Sequence, residues 1–250
     1  MAVETPAGKL GVVYSCYLVP GWETCVSEQL AKVVVSGLYA AADSFVVVAS
    51  GSREELHKFL VYTAPLAKLN LTLRTQNSYE FPAIEAVRNH AVAHPKDKIC
   101  YFHTKGVTSG DHAWRKVLDY WTLLRWRENV AALSSNYDIS GPLWLQTTDK
   151  HKFHFYAGNF WWANAAYLAR LARLQYSGRN DRFECEAWIG CRRPRWYNVN
   201  APQKPFTSLQ AMRTYVRSPA VASWAERLDQ LPALRTAMVH FRGLLAEDAS

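Results

Sequence analysis

Several things are missing from this 250-residue chain, and each absence excludes a class. The longest run without Asp, Glu, Lys, Arg or His is Phe155–Ala169, 15 residues broken by Gly158 and Asn159, against the ~20 that a membrane-spanning helix needs. No transmembrane helix is predicted. The first ten residues contain Glu4, Pro6 and Gly8 and lack the apolar core of a secretion signal. The five cysteines, Cys16, Cys25, Cys100, Cys185 and Cys191, are an odd number without a CxxC pair, which argues against a disulfide framework and a structural zinc site. A reducing cytoplasm is the expected location. Neither GxGxxG nor GxxxxGK[ST] occurs, so a dinucleotide oxidoreductase and a P-loop NTPase are not predicted. Repeats and low-complexity segments are absent as well.

What is present suits one large globular domain. Apolar residues make up 49% and charged residues 20%, enough to bury a sizeable core and to exclude intrinsic disorder. The 29 basic and 21 acidic side chains leave a net charge of +8, which invites an anionic partner. The basic residues are spread along the chain, and the densest cluster, Arg192, Arg193 and Arg195, is interrupted by Pro194; a solvated basic surface accounts for it equally well. The 10 Trp and 13 Tyr offer rings that stack on sugars or bases, although most are expected in the core.

Periodicity predicts alternating strands and helices. Gly11–Val19 is a β-branched and aromatic run closed by Pro20-Gly21, followed by a helix over Trp22–Tyr39 whose Val26, Leu30, Val33, Val34 and Leu38 recur at helical spacing. Ser44–Ala49 is a second strand, and Ser52 with Glu55 has the capping-box pattern of a helix through Tyr62. Leu69–Arg74 is a third strand; a polar loop leads to a helix opened by Pro82 and ended near Pro95. Lys98–His103 is the fourth strand. A flexible connection through Gly106 and Gly110 then leads to Asp111 as N-cap of a long helix over 112–134. Further strands are expected over Tyr137–Leu145 and Phe153–Trp162, and a helix over Ala163–Leu174. The alternation implies parallel pairing and an α/β sheet with helices on both faces, with ligands bound beyond the carboxyl ends of the strands. Residues 1–200 form this domain. After the linker Ala201–Pro205, residues 201–250 form a helical C-terminal extension with helices near Ala220–Leu231 and Ala233–Leu245. The last sets Leu234, Met238, Phe241 and Leu245 on one side, suited to packing on the main domain or to peripheral membrane contact.

Particular stretches carry a family likeness: Val13–Cys16, Trp22, Gln29-Leu30, Ser36–Tyr39, Glu80-Phe81-Pro82, Tyr101–Val107, Gly158–Ala163 and Glu186–Gly190. In these, and above all in His-Thr-Lys-Gly at 103–106 and Gly-Asn-Phe-Trp-Trp-Ala at 158–163, the chain resembles a family of small glycosyltransferases from bacterial and viral polysaccharide contexts. The resemblance spans roughly Gly11 to Tyr197. It implies a GT-A-like, Rossmann-like, mainly parallel sheet, a nucleotide-sugar donor, and a glycan or glycoconjugate acceptor.

Carried over residue by residue, the resemblance also assigns roles. GT-A enzymes of the usual sort hold Mn²⁺ or Mg²⁺ with Asp-x-Asp after the fourth strand; here that place reads His103-Thr104-Lys105, and no Asp-x-Asp occurs in the chain. A metal-independent donor site is therefore expected, with the donor diphosphate over His103 to Gly106, Lys105 neutralising its developing charge, Thr104 donating to it, and Gly106 allowing close backbone approach. Arg115 would add a second cation, and Tyr79 and Glu80 would meet the base and ribose. The alternative, a metal held by His103 with His151 or His154, lacks an identifiable carboxylate. On the acceptor side Asn159, one of Trp161 and Trp162, and Arg182 would bind the sugar. Glu186 would act as general base, with Glu184 and Asp181 able to replace it. A second reading keeps the fold and moves the sugar onto a modified base of nucleic acid. A third makes the chain a non-catalytic nucleotide-sugar or carbohydrate binding module.

Overall fold

The computed structural model describes residues 8–108, 112–146, 154–178, 183–200 and 204–246. Strand β1 (Leu10–Leu18) is buried along almost its whole length, which is why its sequence is a continuous apolar run and not an alternating one. Helix α1 (Trp22–Val35) follows. The predicted helix over Trp22–Tyr39 is interrupted: Gly37 takes φ +77°, its N–H bonds the carbonyl of Val34, and the chain restarts as the short α2 (Leu38–Ala41). A left-handed glycine at this place ends a helix with its last carbonyls satisfied. Strand β2 (Ser44–Gly51), α3 (Arg53–Thr63) and β3 (Leu69–Arg74) come next, and Ser52 Oγ accepts from the N–H of Glu55 at 3.2 Å, the capping contact expected there. Helix α4 (Phe81–Ala93) leads to β4 (Lys98–His103).

The predicted long helix over 112–134 is three pieces. Helix α5 (His112–Asp119) passes through a π turn at Tyr120–Leu124 into α6 (Trp126–Ser134). Asp111, its expected N-cap, lies outside the described residues. The two long strands predicted beyond it are also divided. Leu143 takes φ +61° and separates β5 (Ile139–Gly141) from β6 (Trp144–Gln146). A turn at Gly158-Asn159, both at positive φ, separates β7 (His154–Tyr156) from β8 (Trp161–Asn164). Helices α7 (Ala165–Leu168), far shorter than predicted, and α8 (Glu184–Trp188) precede β9 (Trp196–Asn198). Helices α9 (Leu209–Val216), α10 (Pro219–Asp229) and α11 (Pro232–Ala246) close the chain.

The main sheet has the order β3-β2-β1-β4-β8-β5-β9, and β6 and β7 pair apart from it. Strands β1 to β4 are mutually parallel. Strand β8 runs antiparallel to both β4 and β5, so the sheet is mainly and not wholly parallel. Helices cover both faces. One face gathers Val12, Tyr14, Cys16 and Phe102 with α1, α3 and Trp162; the other gathers Val13, Ile99 and Tyr101 with α4, α7 and Trp161. The extension lies on the first face: α11 runs along α1 and touches α3, with Leu234 buried and Met238 packed on the core. Leu234 and Met238 of the predicted apolar side are thus packed against the protein itself. No helix among the described residues is long and apolar enough to cross a bilayer.

Candidate active site

The chain goes outward from β1 through β2 to β3, then returns to place β4 on the other side of β1. Two neighbouring strands whose connections leave in opposite directions open a crevice at their carboxyl ends, the usual ligand position in such sheets. Ser15 of β1 faces His103 of β4 in register there. The loop after β4 is tied to β1 at once: Thr104 N–H bonds the carbonyl of Ser15 at 3.0 Å, and Thr104 Oγ1 accepts from the N–H of Tyr17 at 2.9 Å. Gly106 takes φ +79°, a conformation open to glycine at little cost, and turns the loop so that Lys105 Nζ lies 4.5 Å from the centre of the Trp114 ring. The lysine has no ion pair among the described residues.

Four side chains meet beside it. Glu80, at the start of α4, accepts through Oε2 from Tyr101 Oη and from Asn159 Nδ2, each at 2.7 Å, and stands 4.0 Å from His103 Nε2. Its Oε1 has no partner among the described residues. His103 Nε2 lies 2.9 Å from the carbonyl oxygen of Gly158. Burial lowers the proton affinity of this imidazole, with Lys105 adding to the effect while Glu80 and Asp119 oppose it. Beneath the crevice Gln29 donates to the carbonyl of His103 at 3.0 Å and to Asp119 at 2.9 Å; Asp119 in turn is paired with Lys32 at 2.8 Å, both buried. These buried polar groups satisfy one another and so fix the backbone at the end of β4.

The predicted residues separate into three groups. His103, Lys105, Gly106 and Glu80 line the crevice, with Tyr79 adjacent, its φ of +52° supported by Asn77 Oδ1 accepting from its N–H at 2.8 Å. Five others are taken up by the fold. Arg115 is 1% exposed and bonds Glu28 of α1 at 2.5 Å. Trp161 and Trp162 are both 0% exposed, on opposite sheet faces, donating to Asn159 Oδ1 and to the carbonyl of Thr122; neither reaches a sugar. Asn159 is itself fully buried with its amide spent on Glu80, Trp161 and the carbonyl of Cys185. It is a clamp between the two sides of the site and not a reader of hydroxyls. Thr104 is buried, its hydroxyl already accepting from Tyr17. On α8, Glu184 is exposed and Glu186 half-buried. Arg182, Asp181, His151 and the residues 109–111 lie outside the described residues. His154 belongs to β7, against Trp144.

Sequence reasoning gave no role to Tyr101, Gln29, Asp119 and Trp114, although Tyr101 and Gln29 stand in the family-like stretches. The first three sit on apolar strand or helix faces, where a polar residue with a fixed partner looks like an ordinary core position. Trp114 falls three residues after the loop, and its indole nitrogen is buried without a partner.

No family model matches the chain, and no curated protein matches it. Solved structures resemble it in backbone. A 4-diphosphocytidyl-2C-methyl-D-erythritol synthase from Anaerococcus prevotii is 8% identical over 85% of this chain and 97% of its own, with a TM-score of 0.44. TarS from S. aureus is 12% identical over 96% of this chain and 70% of its own, with a TM-score of 0.45; its complex with UDP gives 13% and 0.44. The likeness is one of backbone course alone.

Proposed function

We propose that this protein is a glycosyltransferase that moves a sugar from a nucleoside-diphosphate donor to a hydroxyl of a glycan or glycoconjugate. The observation that carries the reading is Lys105, a cation unpaired among the described residues, standing at the switch point of a parallel sheet on a glycine-turned loop. The His-Thr-Lys-Gly resemblance supports it. The donor diphosphate would lie over Lys105 and Gly106, its developing charge met by the ammonium group, with Glu80 Oε1 and Tyr79 toward the ribose and base. The acceptor side is the edge between the Gly158-Asn159 turn and α8, where Glu184 and Glu186 stand. The resemblance gives Arg182 a part in binding the acceptor. The site is proposed to work without a metal.

Thermal-shift screening against UDP, GDP, CMP, dTDP and ADP tests the donor half, since a ligand that binds only the native state raises its melting temperature. Nucleotide release from the matching sugar donor, with and without EDTA, tests transfer. Lys105→Gln should weaken nucleotide binding by about tenfold to a hundredfold, the worth of ~1.5–3 kcal/mol for a charged hydrogen bond. Unchanged affinity in that variant, or complete loss of activity in EDTA, would refute the arrangement.

A further inference from the structure

His103 occupies the last position of β4, between the Lys105 loop and the Gly158-Asn159 turn. A carbonyl oxygen only accepts hydrogen bonds, so the 2.9 Å contact to Gly158 puts the proton of the neutral ring on Nε2. Nδ1 is then the basic nitrogen. It has no partner among the described residues and is not one of their buried unpartnered nitrogens, so it keeps contact with solvent at the carboxyl end of β4. The side chain retains 14% exposure.

The ring is held from several directions. Phe160 lies 5.2 Å away, centre to centre. Gly158, at φ +96°, presents its carbonyl from a turn whose left-handed backbone strains any other residue, and an added Cβ would come within 2.6 Å of Leu118 Cδ1 and have to displace it. Gln29 holds the His103 carbonyl. The charged groups that bear on the ring are Glu80 from the start of α4, Asp119 from the end of α5 and Lys105 from its own loop. Burial is the strongest influence, and it keeps the imidazole neutral near pH 7. A neutral imidazole with one tautomer fixed and its free lone pair at a substrate crevice is the arrangement of a general base.

We infer that His103 Nδ1 takes the proton from the acceptor hydroxyl during transfer, a role that rests on the glycosyltransferase reading and that the resemblance had given to Glu186. As the acceptor oxygen bonds the anomeric carbon of the donor sugar, that carbon's bond to the diphosphate oxygen breaks. The electron pair leaves with the nucleoside diphosphate beside Lys105. The hydroxyl proton passes to Nδ1, and the imidazolium returns it to solvent. An imidazole suits this step because its proton affinity lies nearer the working pH than that of an ordinary carboxylate. Glu80 then tunes the base from 4.0 Å.

The test combines kinetics with spectroscopy on the full chain. His103→Gln should lower kcat by about 10² to 10⁴, leave nucleotide thermal shifts in place, and abolish an acid limb that in the unmodified protein falls below the ordinary histidine value of 6.5. Glu80→Gln, by removing a charge that favours the imidazolium, should move that limb to lower pH. Nitrogen-15 spectra of His103 should show the Nε2–H tautomer, a readout that needs neither donor nor turnover. Turnover in His103→Gln within about threefold of the unmodified protein, an acid limb that persists in His103→Gln and vanishes in Glu186→Gln, or an Nδ1–H tautomer would each overturn the role of His103. Absence of both nucleotide binding and turnover in the unmodified protein would overturn the transfer reading and the base with it.

Discussion

Asn159 shows how one residue serves both fold and site. Its φ of +57° costs a non-glycine residue about 1 kcal/mol, and its amide joins Glu80, Trp161 and the carbonyl of Cys185. Replacing it with Ala keeps the backbone cost and orphans the buried Trp161 N–H, so a loss of ~1–3 kcal/mol is expected. Asn159→Gly loses the same bonds but relieves the backbone, and should unfold at a higher urea concentration than Asn159→Ala. Equal midpoints would show that the left-handed conformation is not strained. Lys32 offers a second case, since its partner Asp119 is 0% exposed. Lys32→Met leaves an uncompensated buried carboxylate, a loss of ~3–5 kcal/mol, and Gln29 connects that damage to the carbonyl of His103. Denaturant unfolding reads the first effect, and the tautomer of His103 the second. None of these couplings is legible in the sequence, because nothing local to Asn159, Lys32 or Asp119 points to partners 79 and 87 positions distant.

At the scale of elements, β1 to β4 and α3 were legible because local pattern decides them: a fully covered strand is a short apolar run between turn residues, and Ser52 caps α3 through Glu55. The later elements were not. Phe153–Trp162 is mostly apolar, and although Gly158-Asn159 reads as a turn, the sequence does not show that β7 ends before it and that β8 returns antiparallel to β4. Likewise Tyr120–Leu124 has helical composition, and its π turn is apparent only once Trp162 donates to the carbonyl of Thr122. Tight element contacts give further expectations. Gly190 follows α8, where a Cβ would lie inside the van der Waals shell of the His154 carbonyl; Gly190→Ala should cost ~3 kcal/mol or more or displace β7, which a crystal structure or unfolding curve would show. Trp224 on α10 stands edge-on to Tyr120 at 4.2 Å and stacked on Trp121 at 6.3 Å. Being half-buried, it should cost ~2 kcal/mol on truncation to Ala, less than a core tryptophan, and hydrogen exchange should quicken in α10 before it does in the sheet. Uniform exchange would show that the extension is not a separate unit of stability.

For the whole molecule, the buried titratable groups define a window of pH. The proton affinity of His103 is lowered from the ordinary 6.5. Below about that pH the unfolded chain therefore binds a proton that the folded one refuses, and stability falls as pH drops. At the other end burial raises the thiols of Cys16, Cys25 (to about 12) and Cys100 above 9.0, and the hydroxyls of Tyr14, Tyr101 and Tyr156 above 10.0. There the unfolded chain gives up protons that the folded one keeps, so stability falls as pH rises beyond about 9. Urea midpoints from pH 5 to 11 should form a plateau near pH 7.5–8.5; a midpoint still rising above pH 10 would contradict it. The sequence by itself determined the class of the fold, the order of its first four strands and helices, and the loop at 103–106, because these depend on residue patterns spanning a few turns or one strand. Tertiary structure decided which aromatic and polar residues face the crevice and which fill the core. Both faces of the sheet are covered, so alternation assigns each residue to a face without saying whether a helix or open solvent lies beyond it. Trp161, Trp162, Arg115 and Asn159 went into the interior on that account, and His103 and Glu80 were left at its edge.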